Sequence, residues 1–127
     1  MGRGRIVQQL WRYYGGTPAD RDKFIYTYDR NSNRTTKDLT LTAGLDEKYA
    51  YDSLNRLTSY DRGTLDSGNI TSKVRNEAWG LTPTGNWNDY QVDADGDGNY
   101  TDATDLDRWK CGQNKDYSRA GPAACGA

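Results

Sequence analysis

Histidine is absent and aliphatic side chains are scarce, and each shortage closes off a class of protein. Without an imidazole the chain lacks the usual general base, the Ser-His and Cys-His nucleophile pairs and the commonest zinc ligand. Nine Leu, three Ile, three Val and one Phe make 16 of 127 residues, below the roughly 20% under which chains tend to stay unfolded. Charge of neither sign predominates: 17 basic and 18 acidic residues are interspersed and net to -1. That balance leaves no footprint for nucleic acid or an anionic membrane surface. Apolar runs are too short to insert into a bilayer, and the basic start MGRGRIVQQLW lacks the apolar stretch of a secretory signal. Two cysteines, Cys111 and Cys125, lie in a Gly/Ala-rich stretch and are weak grounds for a disulfide.

Ten Tyr and four Trp fill the gap. These large amphipathic rings pack well on a pleated surface, and a net charge near zero does not hold the chain open. The composition therefore predicts a tyrosine-rich β structure punctuated by glycine, marginal in isolation.

Three segments align without gaps: YTYDRNSNRT at 26–35, YAYDSLNRLT at 49–58 and a degenerate WGLTPTGNWN at 79–88. Tyr26 and Tyr28, Tyr49 and Tyr51, and Trp79 and Leu81 are two apart, so each pair points to one face of a strand. Asp29 and Asp52 then open a turn, because an Asp side chain accepts a hydrogen bond from the backbone just ahead. Ser32, Asn55 and Gly85 share the column where a turn needs positive φ. Arg34, Thr35 and Thr36, like Arg56, Leu57 and Thr58, resume the extended chain, and Asn33, Asn86 and Trp87 complete the repeat pattern. Each unit reads as strand, turn, strand. A single hairpin cannot bury its own face, so such units must stack on neighbours.

These motifs resemble the YD repeats of RHS-type proteins, with a pattern similar to Tyr-x-Tyr-Asp-x-x-Gly-Arg/Asn-Leu/Arg-Thr over residues 20–92; Ser32 and Asn55 stand where glycine is commonest. The resemblance implies an all-β fold of stacked antiparallel β-hairpins. It also implies a structural role, as part of the shell around a C-terminal effector in a secreted or cell-surface protein whose neighbouring repeats are this segment's partners. The alternative is a carbohydrate- or protein-binding β module. No catalytic constellation is apparent, and an enzyme is not expected. On this reading residues 1–19 connect, 20–92 carry the repeats, 93–107 form an acidic loop, and 108–127 are a disordered or irregular tail. A truncation or frameshift near Arg108 would account for that change of texture.

Between the repeats, Leu39 to Thr42 alternate as in a half-buried strand, and turns are expected at Asp61-Arg-Gly63 and Asp66-Ser-Gly68. IVQQLWRYYGG is either a strand or a short helix.

DADGDGNYTDATD, residues 93–105, has the spacing of a calcium loop. Asp93, Asp95 and Asp97 take positions 1, 3 and 5, and Gly98 makes the sharp turn at 6. Asn99 and Thr101 follow at positions 7 and 9. The acidic ligand due at position 12 is missing, since Thr104 stands there, and Asp105 serves only if the loop is one residue longer. Six aspartates between 93 and 107 with no base among them form either a wet hairpin tip or a weak Ca²⁺ site, with affinity of about 10⁻⁴ to 10⁻³ M.

Overall fold

The structure, a computed structural model, describes residues 4–100, 102–111 and 115–118, with backbone alone from 106 onward. The described residues form one antiparallel meander whose order in space is the order in the chain. Its strands are β1 (Gln8–Tyr13), β2 (Ala19–Tyr28), β3 (Arg34–Leu39), β4 (Asp46–Tyr51), β5 (Leu57–Asp66), β6 (Asn69–Leu81) and β7 (Trp87–Asp93), continued by β8 (Leu106–Cys111) and β9 (Lys115–Ser118). Short connections force each strand back beside the last, and no helix interrupts them among the described residues.

The three aligned segments are the three turns at one end of the sheet, and they fold alike. In each, the fourth residue receives and gives the same backbone bonds: Ser32 N–H to Asp29 O, Asn55 N–H to Asp52 O, Gly85 N–H to Thr82 O, closed by Asp29, Asp52 and Thr82 N–H to the carbonyls of Asn33, Arg56 and Asn86. Ser32, Asn55 and Gly85 have φ of 72°, 60° and 88°. The pairing register shifts next to every turn, between Thr27 and Tyr28, Ala50 and Tyr51, and Gly80 and Leu81. This is a type I turn followed by a left-handed residue and a bulge. A side-chain oxygen locks each one: Asp29 accepts from Asn33 N–H at 2.9 Å, Asp52 from Arg56 N–H at 2.9 Å, and Thr82 from Asn86 N–H at 3.0 Å. The Asn33 side-chain amide draws the Asp29 carboxyl below its ordinary range, and the Arg56 backbone N–H does the same to Asp52.

Register places the aromatics on one face. Tyr26, Tyr49, Tyr60, Trp79 and Tyr90 share it with Lys37, Glu47, Arg62, Arg75 and Glu77. The opposite face carries small and polar residues such as Thr36, Ala50, Ser59 and Asn76. Tyr49 and Tyr60 have ring centroids 5.7 Å apart, and Trp79 stacks on Tyr90 at 5.8 Å. The Arg34 guanidinium lies 4.4 Å from the Tyr26 ring centroid. Two phenols pin strands to their neighbours: Tyr28 donates to Ile6 O at 2.6 Å and Tyr51 to Arg34 O at 2.9 Å.

One layer of sheet has no second layer to bury it. Among the described residues only Tyr26 and Val92 are buried apolar side chains, against six buried polar ones: Thr36, Asp46, Glu47, Asn76, Asp93 and Asp105. Hydrogen bonding therefore takes the place of a core. Asp46 spans three strands, accepting from Leu39 N–H at 2.8 Å and Leu65 N–H at 2.9 Å. Glu47 accepts from the Tyr49 phenol, from Tyr60 OH at 3.4 Å and from Arg62 at 3.0 Å, with Lys37 3.8 Å away. Burial raises its pKa, but these donors and the Lys37 charge outweigh burial and hold the carboxyl below its ordinary value. Burial and Glu47 together push the Tyr49 phenol up.

Three expectations change. Leu39 ends β3, and 40–45 form a turn opened by Thr42 N–H to Leu39 O at 2.8 Å, leaving Leu41 exposed. The hydrogen bond from Leu39 N–H to Asp46 holds the strand end there. Asp61-Arg-Gly63 is no turn: it runs through the middle of β5, with Gly63 at a bulge where a Cβ would fall 1.9 Å from Ser72 O. The turn is at Ser67 and Gly68, both with positive φ, a two-residue hairpin. Of the two readings of IVQQLWRYYGG, strand or short helix, residues 8–13 take the first, as strand β1 of the same sheet. Residues 108–111 and 115–118 take strand backbone, because β7 offers β8 an open edge. The remaining tail and Cys125 lie outside the described residues.

Two predictions follow from the turns and the Glu47 cluster. Ser32→Gly relieves a left-handed residue costing about 1–2 kcal/mol against about 0.5–1 kcal/mol of added chain entropy, so the urea midpoint rises slightly, whereas Gly85→Ala lowers it. For Glu47 the folded pKa is depressed, so its contribution is present above the ordinary value of 4.5 and is lost as pH falls through the folded value. Thermal melts from about pH 6 to pH 3 show a steep acid limb in wild type and a shallower one in Glu47→Gln.

Candidate cation-binding loop

Strand β7 ends at Asp93 and β8 begins at Leu106, so the acidic segment is a loop between two strands. It lies at the end of the sheet opposite the three repeat turns, as the alternation of strand directions requires. Asp93, 1% exposed, is its organiser. One carboxylate oxygen accepts Gly96 N–H at 2.5 Å and the other Gly98 N–H at 2.8 Å, wrapping the chain around the side chain. Asp95 and Asp97 repeat the device on a smaller scale, accepting from Asp97 N–H at 3.2 Å and Asn99 N–H at 2.7 Å. These local bonds are why Asp-x-Asp-x-Asp-Gly curls without help from packing.

The loop rests on β6. Gly96, with φ of 80°, brings its Cα so close that a Cβ would sit 2.3 Å from Lys73 O. Tyr100 OH donates to Asn76 Oδ1 at 2.5 Å, and the Asn76 amide donates to Asp61 at 2.6 Å. Lys73 pairs with the same Asp61 at 2.9 Å. Asn76 pairs in register with Asp93, so loop and sheet share one anchor.

The far end of the loop returns to the near end. Asp105 is 6% exposed and accepts Ala94 N–H at 2.8 Å through Oδ1. Asp102 accepts from the backbone and hydroxyl of Thr104, at 2.8 and 2.6 Å. Two groups of carboxylates result, each with oxygens within 4.8 Å of one another: Asp93, Asp95 and Asp97, and Asp95, Asp102 and Asp105. Such groups are able to hold a metal ion. The Asp97 backbone N–H favours the Asp95 carboxylate, but burial and the charges of Asp97, Asp102 and Asp105 outweigh it and push its pKa up. Hydrogen bonds from Thr104 pull Asp102 down.

Of the residues expected at the site, Asp93, Asp95 and Asp97 form one group and Asp105 joins Asp95 in the other, while Asn99 is tied to Asp97 through its backbone. Thr101 lies outside the described residues. Asp102 was not expected as a candidate ligand, since position 10 carries no ligand in the standard loop; the extra residue before Asp105 brings it in. Comparison with protein-family models, with curated proteins and with solved structures returns no match.

Gly96 and Gly98 separate docking from backbone strain. Gly96→Ala combines a left-handed φ with a backbone clash and lowers stability by about 2–3 kcal/mol in urea unfolding, whereas Gly98→Ala, in open space, costs about 1 kcal/mol.

Proposed function

We propose that this chain is a structural section of a longer β-repeat wall, of the kind its YD-repeat resemblance implies, forming part of a shell around an effector in a secreted or cell-surface protein. The observation that supports this best is the contact between successive turns. Asn31 and Asn33 both donate to Asn55 Oδ1, at 2.8 and 2.9 Å, and Arg56 donates to Thr82 O at 2.8 Å. Each turn thus grips the next, an arrangement that extends by repetition. The first strand fits the same reading: among the described residues β1 pairs on one side only, with Leu10 and Trp11 exposed on it and Val7 exposed just before it. An open apolar edge suits a strand of a neighbouring repeat.

In this reading the 93–105 loop takes Ca²⁺, a hard cation matched to an all-oxygen donor set. It would staple the longest loop at that end of the wall. A binding module is the second reading, and among the aromatics of the three aligned segments Trp87 alone favours it. Trp87 is 51% exposed and its ring leans on Tyr90 at 5.3 Å, whereas Tyr26 is buried and Tyr28, Tyr49, Tyr51 and Trp79 are half-buried.

Tandem duplication of residues 40–66, which inserts one further loop, strand, turn and strand, tests the wall. A repeat array gains a higher urea midpoint and a larger m-value in one cooperative transition. A separate second transition at an unchanged midpoint would contradict the proposal.

A further inference from the structure

The spacing of the sequence points to Asp93, Asp95 and Asp97 as the cation ligands, but the hydrogen bonds point elsewhere. Both oxygens of Asp93 are already held by backbone N–H groups, and the side chain is closed off from solvent. Asp105 is different. Its Oδ1 is held by Ala94, while Oδ2 is buried and has no hydrogen-bond partner among the described residues. A buried carboxylate oxygen without a donor is costly, and more so beside like charges. One oxygen of Asp105 lies within 4.8 Å of oxygens of Asp95 and Asp102. A divalent cation among the three would give Asp105 the partner that Oδ2 lacks among the described residues.

Resting on the reading that this loop takes Ca²⁺, we infer that the ion is held by Asp95, Asp102 and Asp105, with Asp93 as a positioning residue. Three carboxylates furnish three to six oxygens, and water or backbone carbonyls complete the six to eight that Ca²⁺ takes. The missing position-12 ligand is then no defect. The longer loop carries Asp105 past Thr104 and turns Asp102 into a ligand, so the site is built from the two ends of the loop. Binding would tie the start of β8 to the end of β7 through Asp105 and Ala94.

Calorimetric titration of the full chain with CaCl₂ tests this in wild type, Asp97→Asn, Asp102→Asn and Asp105→Asn. Urea midpoints in EDTA and in about 10 mM Ca²⁺ are a second readout that also reports folding. Wild type is expected to bind one ion and gain midpoint with Ca²⁺. Asp102→Asn weakens binding about tenfold or more, Asp105→Asn abolishes it, and Asp97→Asn stays within about threefold of wild type. Loss of binding in Asp97→Asn with Asp102→Asn unaffected would overturn this ligand set and leave the Ca²⁺ reading standing. No heat and no Ca²⁺-dependent midpoint shift in wild type would remove both.

Discussion

One hydrogen bond recurs at every repeat turn: a side-chain oxygen from the residue opening the turn accepts the backbone N–H four positions on. Asp29, Asp52 and Thr82 all supply it. It matters because a strand slipped by one residue moves every side chain to the other face. Here that slip would carry Tyr60 away from Glu47 and Tyr90 away from Glu77, the carboxylates that accept from their phenols across the strand pairs. The left-handed residue and bulge set the strands' relative offset, and the side-chain oxygen holds that geometry. Thr82 performs the task without a charge, so the interaction depends on an acceptor at that distance rather than on electrostatics.

With register fixed, the rest follows from having one layer. Buried polar residues outnumber buried apolar ones among the described residues, so the sheet is stitched by donors and acceptors more than compressed by a core. Asp46 joins β3 and β5 through β4, Glu47 collects phenols and a guanidinium, and Asn76 links Tyr100 to Asp61. Networks of this kind specify one arrangement because every alternative leaves a buried group unpaired. They also make the ends of the sheet its weak places, where neighbours are missing. That is the physical sense in which a wall of such hairpins would exceed the sum of its parts.

Much of this was legible in the sequence. Ser32, Asn55 and Gly85 were readable as one column because only turn formers tolerate its φ, and the tyrosine spacing gave the shared face. Other features were hidden by tertiary contacts. Asp61-Arg-Gly63 has turn composition, yet Gly63 is there to let the backbone of Ser72 approach. Leu39 to Thr42 alternates like a strand, yet a bond from Leu39 to Asp46, seven residues on, holds the strand end there. Glu47 gave no local signal, since its partners come from β3, β4 and β5. In the acidic loop, a linear template found Asp93, Asp95 and Asp97 but passed over Asp102, whose place depends on how the loop closes.

The account is tested most directly by native-state hydrogen exchange at the amides of Asn33, Arg56 and Asn86. If the side-chain acceptors hold the register, these three turn amides exchange only with the opening of the strands beside them, at matching opening free energies. Exchange at the rate of freely exposed loop amides, with the strands still protected, would show that the turns follow the sheet rather than fix it.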